Sequence, residues 1–472
     1  MKIKLLTTLV IFTSVVLTGC NNAKSEEPVK TIDEQLRSID RVKGFTKQGG
    51  GGKFTYVYNI NFEQYIDHTD LSVGTFIQKL EFGFNGLSKT TVLLTQGYYE
   101  YGGHYGNEGG EAELAHLLQC NYLSMEHRYF GDSLPVEIDY KDNETWKYLT
   151  TEQAAADAHD VVAAFKTILT GKWLSTGASK SGMTTEMYAY YYPNEMDLYV
   201  PYVAPFCNSR SDTRMMKFIY EEAGNQQYGP NRAKEIRNEV LNFQVKMLEY
   251  RDTLATKFYN SGTNKKVKYS AYATKDILFD VAVLEFGIGF WQYYQNKQRL
   301  ETVLAMPETT QTELSKKRND FYTFFTSVIT PSDLSINNEF TPYYVQAYQE
   351  LGNYGYDFSY IRNALTENAH LVITEEEELD AAFKMSLTQE QLKLEQKELM
   401  YTNINEMLQT TDMQFVLIYG SSDPWYSVRP DDVTRDNIYI AVNTNYPHTA
   451  NISNFDSDKK VEILNRIKSI LD

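Results

Sequence analysis

The rhythm of apolar and polar positions changes several times along this chain. Residues 5–17 are an apolar run containing a few Ser and Thr. Residues 54–62 and Thr75–Phe84 alternate, as half-exposed antiparallel strands do. Thr91–Thr95 and Asn121–Met125 are short and do not alternate, which predicts strands buried on both faces. From Thr150 the spacing switches to three and four. Ala154, Ala155, Ala158, Val161, Val162, Phe165 and Ile168 then share one helix face, which ends before Gly171. Thr150 and Gln153 have the spacing of a capping box. A strand over 173–176, a sharp turn over 177–182, a helix over 183–192 and a buried strand over 198–204 follow.

Alternation of this kind predicts an α/β protein with a mostly parallel sheet and helices on both faces. Between 208 and 400 the pattern becomes helical, charged and rich in Tyr, without convincing buried parallel strands. Strand-like runs return at 415–419 and 437–442, and a last helix covers 456–471. Helices interrupting an α/β pattern read as a lid inserted into one sheet. The expected division is a leader over 1–19, a tether and N-terminal segment over 20–48, a core over 49–207, a helical lid over 208–400, and the rest of the core over 401–472. A short helix is expected over 36–42, and the glycines at 49–52 read as a flexible turn before the first strand.

The start of the chain has its own chemistry. Lys2 and Lys4 precede the apolar run, and Leu17-Thr18-Gly19-Cys20 matches a bacterial lipobox. The run is short for a bilayer span, so a cleaved signal is expected, leaving Cys20 lipidated and the protein exported and anchored to a bacterial membrane. A net charge of −17 disfavours phosphate backbones, so no nucleic-acid partner is expected. Cys120 and Cys207 could pair in an exported protein or stay as buried thiols. No cysteine or histidine spacing suggests a metal site, and no cofactor is expected.

The chemical signal is Gly177-Ala178-Ser179-Lys180-Ser181-Gly182 between a strand and a helix. A nucleophile elbow needs small neighbours around its serine, and the helix start behind it favours developing negative charge. This points to an α/β-hydrolase fold, in which acid and histidine follow the serine in chain order. His370 falls within the lid. His448 follows the last strand, where a general base belongs. Asp423 stands just after the preceding strand and is the expected acid, with Asp412 and Asp431 as alternatives; its other reading is an ordinary turn Asp before Pro424. Backbone N–H groups of Lys180 and of Gly97 or Tyr98 are the candidate oxyanion donors. His127 and Arg128 read as structural, and His159 as a helix-surface residue.

Glu126-His127-Arg128-Tyr129-Phe130-Gly131-Asp132-Ser133-Leu134-Pro135 resembles a segment shared by two related groups of serine peptidases. One is the lysosomal prolyl-carboxypeptidase and dipeptidyl-peptidase group. The other is serine peptidase family 37, the secreted prolyl tri-/tetrapeptidyl aminopeptidases. The elbow followed by Gly182-Met183-Thr184 is more similar to the second. Leu284-Glu285-Phe286-Gly287 and Trp291-Gln292-Tyr293-Tyr294 resemble the lid of the broader group. Ser181 departs from the family's usual Gly, which implies looser packing of the elbow. The resemblance implies a serine exopeptidase acting on peptides, releasing di- to tetrapeptides after proline through an acyl-enzyme. A free N-terminal ammonium then needs a carboxylate, with Glu285, Glu100 and Glu126 as candidates. Tyr98, Trp291 and Trp425 are candidates for an apolar proline slot. Two other readings share these residues: an esterase or lipase on the same fold, and a peptide-binding lipoprotein that has lost the chemistry.

Overall fold

The computed structural model describes residues 30–49, 54–98 and 113–472. The lipobox, Cys20 and Glu100 lie outside the described residues. The strands are β1 (Val42–Gly49), β2 (Tyr56–Tyr65), β3 (Thr75–Phe84), β4 (Thr91–Thr95), β5 (Asn121–Met125), β6 (Trp173–Ala178), β7 (Leu198–Tyr202), β8 (Phe415–Gly420) and β9 (Ile438–Asn443). They form one nine-stranded sheet in the order β1-β2-β3-β5-β4-β6-β7-β8-β9. The first three strands and the β3–β5 pair run antiparallel, and every neighbouring pair from β5 to β9 is parallel. This is the α/β-hydrolase fold, with β4 swapped inside β5 so that it lies directly beside β6.

The central strands are buried along their whole length because helices cover both faces. On one face, Val161, Val162 and Phe165 of α1 (Thr151–Lys166) join Leu93, Leu123 and Trp173 in one core. On the other, Ile463 and Ile467 of the final helix pack on Val92, Leu174, Val200 and Val416. Thr150 Oγ1 accepts the Gln153 N–H at 3.1 Å. The expected capping box is only half formed, because the Gln153 side chain donates to Asp67 at 2.8 Å.

The N-terminal segment differs from expectation. The first helix spans Ile32–Arg37, one turn earlier than predicted, capped by Thr31. β1 then pairs with β2 along seven positions of what was read as tether and turn. It is an exposed edge strand of mostly polar residues, so it carries no burial periodicity to read. Between β7 and β8 the chain is largely helical with a core of its own, built from side chains such as Phe243, Phe286, Phe321 and Phe325. Four of its residues do form a parallel pair, Ser211–Asp212 with Asn353–Tyr354, too short to register as an apolar run.

Cys120 and Cys207 are both buried free thiols, and burial pushes the Cys120 thiol up to about 12. Among the described residues no cluster of ligating side chains suits a metal, and no helix is long and apolar enough to cross a membrane.

Candidate active site

The turn between β6 and α2 (Lys180–Tyr191) is tighter than the sequence suggested. The helix begins at Lys180, directly after Ser179, and not at 183. Ser179 is held at φ 58° and ψ −122°, a strained geometry for a residue with a side chain. Its N–H donates to Tyr202 at 2.8 Å, and its carbonyl accepts from Met183 at 2.9 Å. A Cβ at Gly177 would stand 2.4 Å from the Ser181 carbonyl oxygen, so the turn closes only over glycine.

His448 sits in the loop after β9 and Asp423 in the loop after β8. Ser179 Oγ lies 2.9 Å from His448 Nε2, and His448 Nδ1 lies 2.7 Å from Asp423 Oδ2. The Asp423 and His448 side chains are 1% and 7% exposed. Asp423 also accepts the Trp425 N–H at 3.0 Å, so it fills the turn role and orients the imidazole at once. This chain of hydrogen bonds can take a proton from a hydroxyl while the carboxylate steadies the imidazolium. The alternative acids are elsewhere: Asp412 is fully exposed beside Arg435, and Asp431 accepts from the Tyr401 hydroxyl. His370 is exposed on the helical insertion.

The insertion holds the imidazole from above. The Gln292 carbonyl accepts the His448 backbone N–H at 3.2 Å, and the Tyr293 ring meets the imidazole edge-on at 5.8 Å. Phe290–Tyr294 is a wide turn with a Gln295 N–H to Phe290 carbonyl bond of 2.7 Å. That extra residue per turn swings Gln292 and Tyr293 toward the site.

Several expected site residues stand elsewhere. The same turn buries Trp291 fully in the helical core, so it lines no substrate slot. Glu126 accepts from Ser133 Oγ at 2.6 Å and from the Asp132 N–H at 3.1 Å. It braces its own motif and does not line the Ser179 cavity. Gly97 is not an oxyanion donor, because its N–H points to Ser181 Oγ at 2.9 Å. Ser181 is 1% exposed, so the elbow is closely packed despite the departure from Gly. Arg128 is structural: it is fully buried and pairs with Asp157 through two bonds of 2.6 and 2.7 Å. His159 stacks on Tyr192 at 4.3 Å beside Glu195, away from the site.

Ser179 opens into a cavity of about 140 Å³ walled by Tyr98, Lys180, Met183, Tyr343, Tyr354 and Trp425, among others. Gln292, Tyr293, Tyr344, Tyr354 and Trp425 also line a second cavity of about 390 Å³, so the two adjoin. Glu285 stands in that second cavity, with Asp333 and Asn337. Its carboxylate accepts from the Tyr354 and Tyr356 hydroxyls at 2.8 and 2.5 Å. Burial raises its pKa to about 7, and the two phenols lower it by less. Tyr354 and Tyr356 were missed in the sequence. Their signal is the Tyr-Gly-Tyr alternation that begins in a short strand and sends both rings to one side.

The profile of the PS-10 peptidase S37 family matches residues 26–471. This chain belongs to the peptidase S37 family. The S37 protein is 28% identical over 326 residues to the prolyl tri/tetrapeptidyl aminopeptidase of Streptomyces mobaraensis, covering 69% of this chain and 62% of that protein. The chain thus spans less than two thirds of that relative's length. It is 30% identical over 146 residues to the lysosomal Pro-X carboxypeptidase of Homo sapiens, 26% of this chain and 29% of that protein. Among solved structures, a proline iminopeptidase from Mycobacterium smegmatis matches at a TM-score of 0.34 and 10% identity, over 84% of this chain and 96% of that one.

Proposed function

We propose that this S37 protein is a serine exopeptidase that releases short N-terminal peptides, two to four residues long, by cutting after proline. The observation that carries the reading is the pairing of two features. One is a hydrogen-bonded Ser179–His448–Asp423 chain; the other is a cavity adjoining it that holds a buried carboxylate, Glu285.

The steps follow from that layout. A peptide enters amino end first, and its ammonium pairs with Glu285. The proline ring lies against Trp425 and the tyrosines near Ser179. His448 takes the Ser179 proton as Oγ attacks the proline carbonyl carbon. The oxyanion that forms is held by the backbone N–H groups of Lys180 and Tyr98. The tetrahedral species collapses as His448 returns the proton to the departing amine, leaving the N-terminal peptide esterified to Ser179. Water, deprotonated by the same imidazole, then frees it. Limited depth in front of Glu285 sets the length released. A neutral acetyl cap would leave the Glu285 carboxylate buried without a charged partner.

Export and lipid anchoring at Cys20 belong to the same proposal and rest on the lipobox at 17–20. Cys20→Ser should move the protein from the membrane to the soluble fraction.

Mass analysis of products from proline-containing peptides, with free and acetylated N-termini, tests the activity. Release of di- to tetrapeptides ending in proline, from free N-termini only, is expected. Hydrolysis of simple esters with no amide cleavage would replace the peptidase by an esterase.

A further inference from the structure

The residue after the nucleophile carries a side chain that the reaction scheme leaves unused. Lys180 is 1% exposed, at the start of a helix, where a cation opposes the helix dipole. Its Nζ donates to the Gly97 carbonyl at 2.7 Å, with the rings of Phe130 and Tyr98 centred 5.4 and 5.6 Å away. Burying an ammonium is costly, and at this buried helix start an uncharged side chain would avoid that cost. Burial lowers the Lys180 pKa to about 7, in keeping with that cost.

The group it grips is informative. The Gly97 carbonyl and the Tyr98 N–H are the two ends of one planar trans peptide, and they point in opposite directions. Fixing one end aims the other. The adjoining groups are fixed too: the Gly97 N–H donates to Ser181 Oγ at 2.9 Å, and the Tyr98 carbonyl accepts the His127 N–H at 3.0 Å. Two consecutive elbow residues therefore clamp the opposing loop. The approach is so close that a Cβ on Gly97 would lie 2.8 Å from the Lys180 carbonyl carbon. A hydrogen-bond donor on a carbonyl oxygen also draws electron density out of the amide and strengthens its N–H as a donor.

We propose that the Lys180 side chain is a positioning residue for the oxyanion site, setting the direction and donor strength of the Tyr98 N–H through the Gly97 carbonyl. The Lys180 backbone then supplies one donor directly, and its side chain governs the other. The inference rests on Ser179 acting as the nucleophile, not on which acyl group it accepts.

Lys180→Met removes the grip and keeps the backbone N–H. Its hydrolysis of p-nitrophenyl acetate and of a prolyl peptide nitroanilide should be compared with wild type, counting active sites by fluorophosphonate titration. A fall in kcat of about 10- to 100-fold on the substrates wild type turns over is expected, with KM changed less than about twofold. Affinity for a peptide aldehyde, which binds as a tetrahedral adduct, should fall in parallel. A merely structural lysine would lower the active-site count and leave kcat per site and aldehyde affinity alone, overturning the proposal. If Lys180→Met does not fold, Lys180→Gln, a shorter neutral donor, takes its place with the same split expected. A wild type that cleaves the ester and ignores the peptide would end the exopeptidase reading, and the ester data would still decide the role of Lys180.

Discussion

The carboxyl edge of the sheet and the helical insertion both reach the same cavity, and they hold their site residues by different means. At the sheet edge, strand register does the positioning. β4, β6, β8 and β9 end along one edge of the sheet, and the turns and loops that follow them carry Gly97, Ser179, Asp423 and His448. Little freedom remains, because the backbones there approach within contact distance. In the insertion, side chains do the positioning. Glu285 is fixed by two phenols from a separate segment, and Gln292 and Tyr293 are presented by a local change of helix pitch. Geometry enforced by backbone is rigid and intolerant of substitution. Geometry enforced by side chains can be retuned, which suits the region proposed to select the substrate.

Substitutions should separate the two regions by size and kind of effect. Ser179→Ala is the largest, with a loss in kcat on the order of 10⁴- to 10⁶-fold and unchanged peptide binding, measured by steady-state kinetics and calorimetry. Gly97→Ala comes next. Its Cβ would collide with the Lys180 backbone, so a loss of about 10²- to 10³-fold in kcat with little change in KM is expected.

Glu285→Gln should act on KM instead, raising it about 10- to 100-fold for peptides with a free amino end. It should also stabilise the fold. A carboxylate whose pKa is raised on folding costs stability as pH climbs from about 4.5 to about 7, and the full cost is present above that. Removing the charge should therefore raise stability at pH 8 by roughly 1–3 kcal/mol, read from denaturant unfolding, with little gain at pH 4. Binding has the matching sign. KM for a free-amine peptide should fall as pH rises through about 7 and Glu285 ionises. It should rise again above about 8, as the substrate ammonium loses its proton. Trp291→Phe gives the smallest effect, a loss of about 1–3 kcal/mol in stability with KM unchanged, because that ring is core. Trp425→Ala should change KM instead. A change in KM for Trp291→Phe would blur the distinction.

The same contrast explains what could be read from sequence. Strands buried on both faces announce themselves by composition, and an elbow announces itself by small residues around a serine. Position 179 follows from that motif, and positions 423 and 448 from the order of elements after it. The Gly97 N–H was misassigned because its partner, the Ser181 hydroxyl, comes from a residue far along the chain. Trp291 was misplaced because an aromatic that fills the core and one that lines a slot look alike in sequence. Glu126 was misread because a carboxylate bracing a turn and one facing a substrate look alike in one dimension. β1 escaped notice because an exposed edge strand has no apolar face to betray it.

The joint action of Ser179 and Glu285 can be read in one ratio: kcat/KM for a free-amine prolyl peptide nitroanilide over that for its N-acetylated form, in wild type and in Glu285→Gln. A ratio of about 100 in wild type that collapses toward about 1 in the variant is predicted, since each tenfold reflects about 1.4 kcal/mol of ammonium binding. The same ratio in both proteins, whatever its value, would mean that Glu285 does not receive the amino end and that the coupling drawn between the two cavities is wrong.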